Sequence, residues 1–375
     1  MKITSVESIL LTAQLKQPFW SAGVLVPNRN AVLVMIHTDE GITGLGEAFC
    51  MGGPPHTTLQ VIQNDFKHLL VGEDPRYTSY LWEKLYKASF MRGRRGIIIA
   101  ALSGVDIALW DIMGKISGLP IYRLLGGFRN KVMAYATGGH YAEGKGLPEL
   151  QKEVIGYIKA GFKAIKIKVG KMSIPADIDR VKAVREAIGN DVQLMVDANR
   201  AYDAKNAIKL ARGIEKYNIS WLEEPVSPDH VDASIRVAEA IDIPVCGYET
   251  EATAYAFREL ISKGAVDIVQ QDVSWSGGFT ECRRVADIAY AWGLRCIPHS
   301  FGSAVTVAAN LHFLASLPNG DIFEFDQNPN DLRDKLLINP IQIDIDGYIT
   351  IPEKPGLGIE LSPESVEQYR GVLAK

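Results

Sequence analysis

From about Val132 to Asp326 the chain repeats one pattern: a short β-branched or apolar run, with an ionisable residue at or near its end in all but the first, then a helical segment. The runs read VMAYATGG, KAIKIKV, VQLMVDAN, SWLEEP, IPVCGYE, VDIVQQD, LRCIPH and DIFEFD. Short strands alternating with helices are the mark of parallel β/α units, and eight such units close a barrel. One helical segment shows the rhythm clearly: PADIDRVKAVREAIG begins at Pro175, stops before Gly189, and sets Ile178, Val181, Val184 and Ile188 on one side. The expected class is α/β, with a β/α barrel at its centre.

A barrel of roughly 200 to 250 residues leaves part of this 375-residue chain over. Residues 1–128 are read as an N-terminal α+β capping domain, 129–326 as the barrel, and 327–375 as a C-terminal segment returning to the cap. The cap opens with MKITSVESILLTAQLK, which alternates like a strand; AVLVMIHTDE and the turn-rich GITGLGEAF follow, then helices to about Gly118. Two Gly/Pro-bearing loops, Pro18 to Asn28 and Met51 to His56, are candidate lids over the barrel mouth. The net charge of −4 gives no general attraction to nucleic acid, and the apolar run from Gly96 to Trp110 is broken by Asp106, so neither nucleic acid nor membrane is expected as a partner. The cysteines Cys50, Cys246, Cys282 and Cys296 lack metal-type spacing and read as reduced core residues, which together with the absence of a signal-type N-terminus points to the cytoplasm. A homo-oligomer, between dimer and octamer, is expected.

Barrel chemistry sits where strands end. The strand-end residues are Lys168, Asp197, Glu223, Glu249, Asp272, His299 and Glu324, spaced by 23 to 29 residues, about one β/α unit each. Singly each has an ordinary reading: Asp197 could open a turn, Glu223 could cap the segment beside Pro225, and a lone histidine is more often structural than catalytic. Their coincidence at one depth is hard to build without a metal or mutual pairing, because buried charge is costly. Asp197, Glu223 and Glu249 end three consecutive strands, and three carboxylates without cysteine or HExxH suit a hard divalent ion, Mg²⁺ above all. Lys168 precedes this trio and Asp272 and His299 follow it, so a bound substrate would have the lysine on one side and the imidazole, oriented by Asp272, on the other. The stretch AIKIKVG leaves two readings open: an amphipathic strand with a solvated lysine face, or a catalytic Lys168 whose pKa is lowered by Lys166.

Taken together, KxK (Lys166, Lys168), DAN (Asp197 to Asn199), EEP (Glu223 to Pro225), GYE (Gly247 to Glu249), QQD with Gly277 and Gly278, PH (Pro298, His299) and FEF (Phe323 to Phe325) resemble the enolase superfamily, specifically its mandelate racemase subgroup. ALSGVDIALWDIMGK in the cap and PGLGIEL in the tail match as well, so the resemblance covers nearly the whole chain. It implies a modified, enolase-like TIM barrel with the cap completed by the tail. It also implies Mg²⁺ on Asp197, Glu223 and Glu249, Lys168 as one acid/base tuned by Lys166, and His299 with Asp272 as the other. Glu324 would be a protonated acid donating to the developing enediolate. The muconate-lactonising branch carries lysine where this chain has Asp272, which argues against that branch. The implied chemistry is abstraction of the proton α to a carboxylate: dehydration of an aldonate or aldarate to a 2-keto-3-deoxy acid first, cycloisomerisation of a sugar-acid lactone second, racemisation of an α-hydroxy acid third. FEFDQNPNDLRD and YITIPEKPGLGIE are similar to stretches of galactaro-lactone cycloisomerases. The substrate is thus a small carboxylate, with Asn199, His140 and Trp20 as candidate substrate-binding residues.

Three rival readings carry less. GHYAEGKG (Gly139 to Gly146) ends on Gly146 where a phosphate loop needs Ser or Thr. MRGRRG (Met91 to Gly96) would bind a second substrate carboxylate through Arg92, Arg94 or Arg95 only if it reached the pocket, and a short charged run is usually a solvated helix end. A non-catalytic barrel should lack at least one ligand or base, and none is missing.

Overall fold

The computed structural model describes residues 1–51 and 55–371. Strands β1 (Ile3–Ser21), β2 (Val24–Thr38) and β3 (Thr43–Ala48) form an antiparallel sheet in that order. The first expected lid is not a loop. Phe19 pairs with Val26, Trp20 with Leu25 and Ser21 with Val24, so residues 18–28 are the tip of the β1–β2 hairpin beyond an irregularity at 14–19. Aromatic and β-branched residues here favour continued pairing over a coil. Part of the second lid, residues 52–54, lies outside the described residues. The hairpin tip is tied to the barrel through Trp20 N–H to the Tyr141 carbonyl (2.7 Å) and Tyr141 N–H to the Trp20 carbonyl (3.2 Å).

Helix Ile97–Ser117 is apolar and long enough to cross a membrane, yet it lies buried within the protein. The acids that interrupt it are cross-links: Asp106 accepts from Thr280 N (2.9 Å) and Oγ1 (2.6 Å), while Asp111 accepts from Leu45 N (2.8 Å), Lys115 Nζ (2.6 Å) and Leu357 N (2.8 Å). Asp111 thereby joins the cap sheet, its helix and the tail. At the same seam Gly114 and Gly356 touch so closely that a Cβ on Gly114 would lie 2.4 Å from the Gly356 Cα.

Eight parallel strands make the barrel: β4 (Lys131–Gly138), β5 (Ala164–Lys168), β6 (Gln193–Asp197), β7 (Ile219–Glu223), β8 (Val245–Gly247), β9 (Ile268–Val269), β10 (Arg295–Cys296) and β11 (Ile322–Asp326). Their order is β10-β9-β8-β7-β6-β5-β4-β11, and the tail adds β12 (Tyr348–Thr350) antiparallel on β4. The expected tail does return to the cap, with Gly371 N–H on the Leu10 carbonyl at 2.8 Å; its pairing with a barrel strand is an addition. Helix Ile174–Ile188 forms as its pattern predicts and ends at Gly189 with φ 74°, a conformation glycine tolerates.

The two-residue period of a strand places the site. Ala164, Met195, Trp221, Cys246, Ile268, Ile297 and Ile322 form one apolar cluster, whereas Ile165, Ile167, Leu194, Val196 and Leu222 belong to another, packed against the helices. Two residues past members of the first cluster stand Lys166, Asp197, Glu223, His299 and Glu324, all buried. The barrel interior therefore changes from apolar to ionic within one step of the pleat.

Candidate active site

The two-residue step settles the KxK question first: Lys166 and Lys168 are both buried rather than solvated. Lys166 Nζ contacts Glu223 Oε1 at 2.5 Å and Glu324 Oε1 at 2.7 Å, and Lys168 pairs with Asp197. Lys168 is thus bonded to the adjacent strand's carboxylate, and Lys166 to carboxylates two strands away on either side, on β7 and β11. Lys168, Asp197 and Glu223 end their strands as expected. Glu249, Asp272 and His299 instead lie two or three residues beyond β8, β9 and β10, and Glu324 lies inside β11. The ladder past these short strands continues only as isolated bonds, such as Ile297 N to the Val269 carbonyl (2.9 Å) and His299 N to the Gln271 carbonyl (3.0 Å).

Ligand oxygens of Asp197, Glu223 and Glu249 lie within 4.8 Å of one another. Trp221 Nε1 donates to Glu223 Oε2 (3.1 Å) and the Asn199 N–H to Asp197 Oδ1 (2.8 Å), orienting two of the three, while buried Glu249 Oε2 has no hydrogen-bond partner. Burial, opposed by Lys166 but reinforced by Asp197, Glu324 and Glu249, pushes Glu223 up to about 8. An orphaned carboxylate oxygen and an oxygen-only donor set short of positive charge fit a hard divalent cation.

On the other side, His299 Nδ1 lies 2.8 Å from Asp272 Oδ2. Asp272 Oδ1 accepts from Ser274 N and Oγ, each at 2.7 Å, and from Asn310 Nδ2 at 3.1 Å. Those three donors occupy one oxygen and leave the other for the imidazole, which fixes the orientation of the ring. Nε2 then faces Glu249 Oε2 at 3.6 Å. Burial pushes His299 down, but Glu249, the Asp272 hydrogen bond and Glu324 outweigh it and raise the imidazole to about 10.

Two electrostatic expectations reverse. Burial lowers Lys168, and so does Lys166, but Asp197, Glu249 and Glu223 together outweigh them, and its pKa stands above the ordinary lysine value rather than below it. Glu324 accepts from Thr137 Oγ1 (2.7 Å), Ser300 N (3.2 Å) and Lys166; burial raises it, and Lys166, His299 and Lys168 then bring it down to about 2, so it stands ionised rather than protonated. Residue type alone could not show either sign, because each depends on which partner lies within bonding distance.

A cavity of about 120 Å³ opens on this cluster, with Lys168, Glu249, His299 and Glu324 on its charged side. Asn199 lines it, with φ 40° and its Oδ1 accepting from Ser21 Oγ at 2.8 Å. His140 and Trp20 do not line it. The Trp20 ring lies under Lys171 at 4.7 Å, and His140 faces a separate cavity against Phe19, ring centroids 4.7 Å apart. Lys145 of the glycine-bearing GHYAEGKG stretch is committed to Glu153. Arg92 pairs with Asp65, Arg95 with Asp229 and Glu251, and Arg94 lies over Phe90, so none of the three lines this cavity. Thr137, Ser274 and Asn310 were missed from sequence. Only Ser274, two residues after an aspartate, carries a local signal, that of an Asx turn.

Residues 149–365 match the family model described as Enolase C-terminal domain-like, and residues 5–126 match the Mandelate racemase / muconate lactonizing enzyme, N-terminal domain. The chain is 44% identical over 339 residues to arabinonate dehydratase of Saccharolobus solfataricus, covering 90% of each chain. It is 41% identical over 380 residues to D-galactarolactone cycloisomerase of Agrobacterium fabrum, covering 99% of each. Among solved structures, a racemase from Streptomyces coelicolor with bound magnesium superposes with a TM-score of 0.92 at 28% identity, over 98% of this chain and all of that one.

Proposed function

The chain belongs to the mandelate racemase/muconate lactonizing enzyme family, and from that premise we propose that it is a Mg²⁺-dependent acid-sugar dehydratase. The observation that carries the reading is the placement of Lys168 on β5 and the Asp272–His299 pair after β9 and β10, on either side of the carboxylate trio. Asp197, Glu223 and Glu249 would hold the ion. When bound, Mg²⁺ supplies Lewis-acid stabilisation of the charge developing on a substrate carboxylate and offsets the carboxylate surplus that keeps Lys168 and His299 protonated.

Lys168 Nζ takes the proton α to the carboxylate as the free amine, and buried Lys166 beside it disfavours the ammonium. His299 Nε2, with its ring held through Nδ1 by Asp272, donates a proton to the departing β-hydroxyl, since hydroxide is a poor leaving group. Lys166 lies between Glu223 and Glu324 and fixes both. The enol that remains becomes a 2-keto-3-deoxy acid. The relatedness to arabinonate dehydratase supports this reaction, and the 41% identity to a lactone cycloisomerase supports a second reading in which the leaving group is a ring oxygen.

The test is a panel of sugar acids and lactones with Mg²⁺ in D₂O. Dehydration gives a semicarbazide-reactive keto acid carrying deuterium at C3. A lactone consumed without loss of water overturns dehydration in favour of cycloisomerisation, and simple inversion with α-proton exchange overturns both.

A further inference from the structure

Resting on that reading, we propose that the substrate carries a single free carboxylate, an aldonate rather than an aldarate, and that its far end is held as a neutral polyol. The cavity is polarised. Its ionic side receives one anionic end, and its cations are already committed: Lys168 to Asp197, Arg200 to Glu224, and His299 to Asp272 at 2.8 Å. The rest of the lining is Val24, Phe49, Met51, Trp275 and Phe301, with Ser21, Asn199 and Thr250 as polar groups. None of these carries charge. Trp275 Nε1 is buried without a hydrogen-bond partner, a neutral donor suited to a hydroxyl oxygen. Asn199 uses its Oδ1 on Ser21 and keeps its amide NH₂ as a further neutral donor.

Among the described residues no uncommitted cation lines this cavity. One rival is Arg29. Its guanidinium stacks on the Phe301 ring at 3.8 Å and pairs with Asp326 at 2.8 Å, lining a different cavity of about 350 Å³, and its Nη1 has no partner. A second carboxylate would have to pass Phe301 to use it. Left against the aromatic wall it would lose its hydration with no cation in return, whereas a hydroxyl keeps a neutral hydrogen bond.

The experiment is isothermal titration of the Mg²⁺-loaded enzyme with stereochemically matched pairs: arabinonate and arabinarate, galactonate and galactarate, gluconate and glucarate. Turnover is followed in parallel. The aldonate of the accepted configuration should bind on the order of 100-fold more tightly than its aldarate. Trp275→Phe should weaken that aldonate about tenfold without changing Mg²⁺ affinity. An aldarate bound as tightly as its aldonate overturns the proposal, as does binding of neither class. If Arg29→Met then removes only aldarate binding, the far carboxylate lies behind Phe301. Selective aldonate binding without any keto-acid product sustains the single-carboxylate rule while overturning the dehydratase reading, so the two failures are separable.

Discussion

His299 and His312 are both buried, at 6% and 0% exposure, and the protein shifts their pKa values in opposite directions. His299 faces Asp272, Glu249 and Glu324, which overcome burial and hold it at about 10. His312 sits at the seam of cap, barrel and tail. Its Nδ1 accepts from Tyr122 N–H (3.3 Å), its Nε2 donates to the Leu357 carbonyl (3.0 Å), and burial drives it down to about 4 against only weak opposition from Leu357 and Glu353. Burial is common to both, so what separates the ring proposed as a proton donor from the structural strut is the presence of carboxylates rather than backbone dipoles around it.

Removing each ring should break the comparison in opposite ways. His299→Asn loses the proton donor and should lower turnover about 10³-fold, within the usual range for general acid catalysis, while the melting temperature stays near wild type. Normal turnover in this variant would remove His299 from the chemistry. His312→Leu leaves a buried N–H and C=O unpaired and should cost about 3 kcal/mol of stability by chemical denaturation, with kcat little changed. A variant as stable as wild type would show that the seam does not depend on this ring.

The sign of the His312 shift gives the next test. Its folded pKa is about 4 against an ordinary 6.5, so between these values the unfolded chain binds more protons. Stability from this group is therefore complete above pH 6.5 and is lost as pH falls toward 4, in total about 3 kcal/mol. His312→Gln cannot titrate, so its stability should fall less than that of wild type between pH 7 and pH 4.5, by roughly 2 kcal/mol. Parallel profiles for the two proteins would mean that His312 is not buried as a neutral ring.

The contrast also marks what the sequence could disclose. Lys168, Asp197 and Glu223 were legible because strands of regular period deliver their ends to one depth, and any residue there inherits the position. Glu249, Asp272 and His299 were legible as residues but not as strand ends, since β8 to β10 are only two or three residues long. Side-chain partners were not legible. Nothing local announces that Asn310, deep in the apolar helix Ala304–Ala315, reaches Asp272 (3.1 Å), or that Thr137 reaches Glu324 (2.7 Å). For the same reason the net direction of the Lys168 and Glu324 shifts was not legible: it follows from pairing distances that no spacing rule encodes. The hairpin tip at 18–28 was missed because its glycine and prolines suggested a coil, whereas cross-strand pairing resumes beyond the irregularity.

The smallest effect tests how finely the His299 side is tuned. Ser274→Ala removes one of the three donors on Asp272 Oδ1 and leaves the Ser274 N–H (2.7 Å) and Asn310 (3.1 Å) in place, so the fold should survive. With one donor fewer, the carboxylate charge is less satisfied on Oδ1 and attracts the imidazolium more strongly through Oδ2, 2.8 Å from Nδ1. His299 then becomes a weaker acid. The alkaline limb of the kcat profile should move to higher pH, and kcat on its plateau should fall about threefold to tenfold, because a less acidic donor assists departure of the hydroxyl less well. KM should hold, since Ser274 is not among the cavity-lining residues. A fall in kcat with no movement of the limb would make Ser274 a packing residue, and no change in either would show that two donors suffice to hold Asp272.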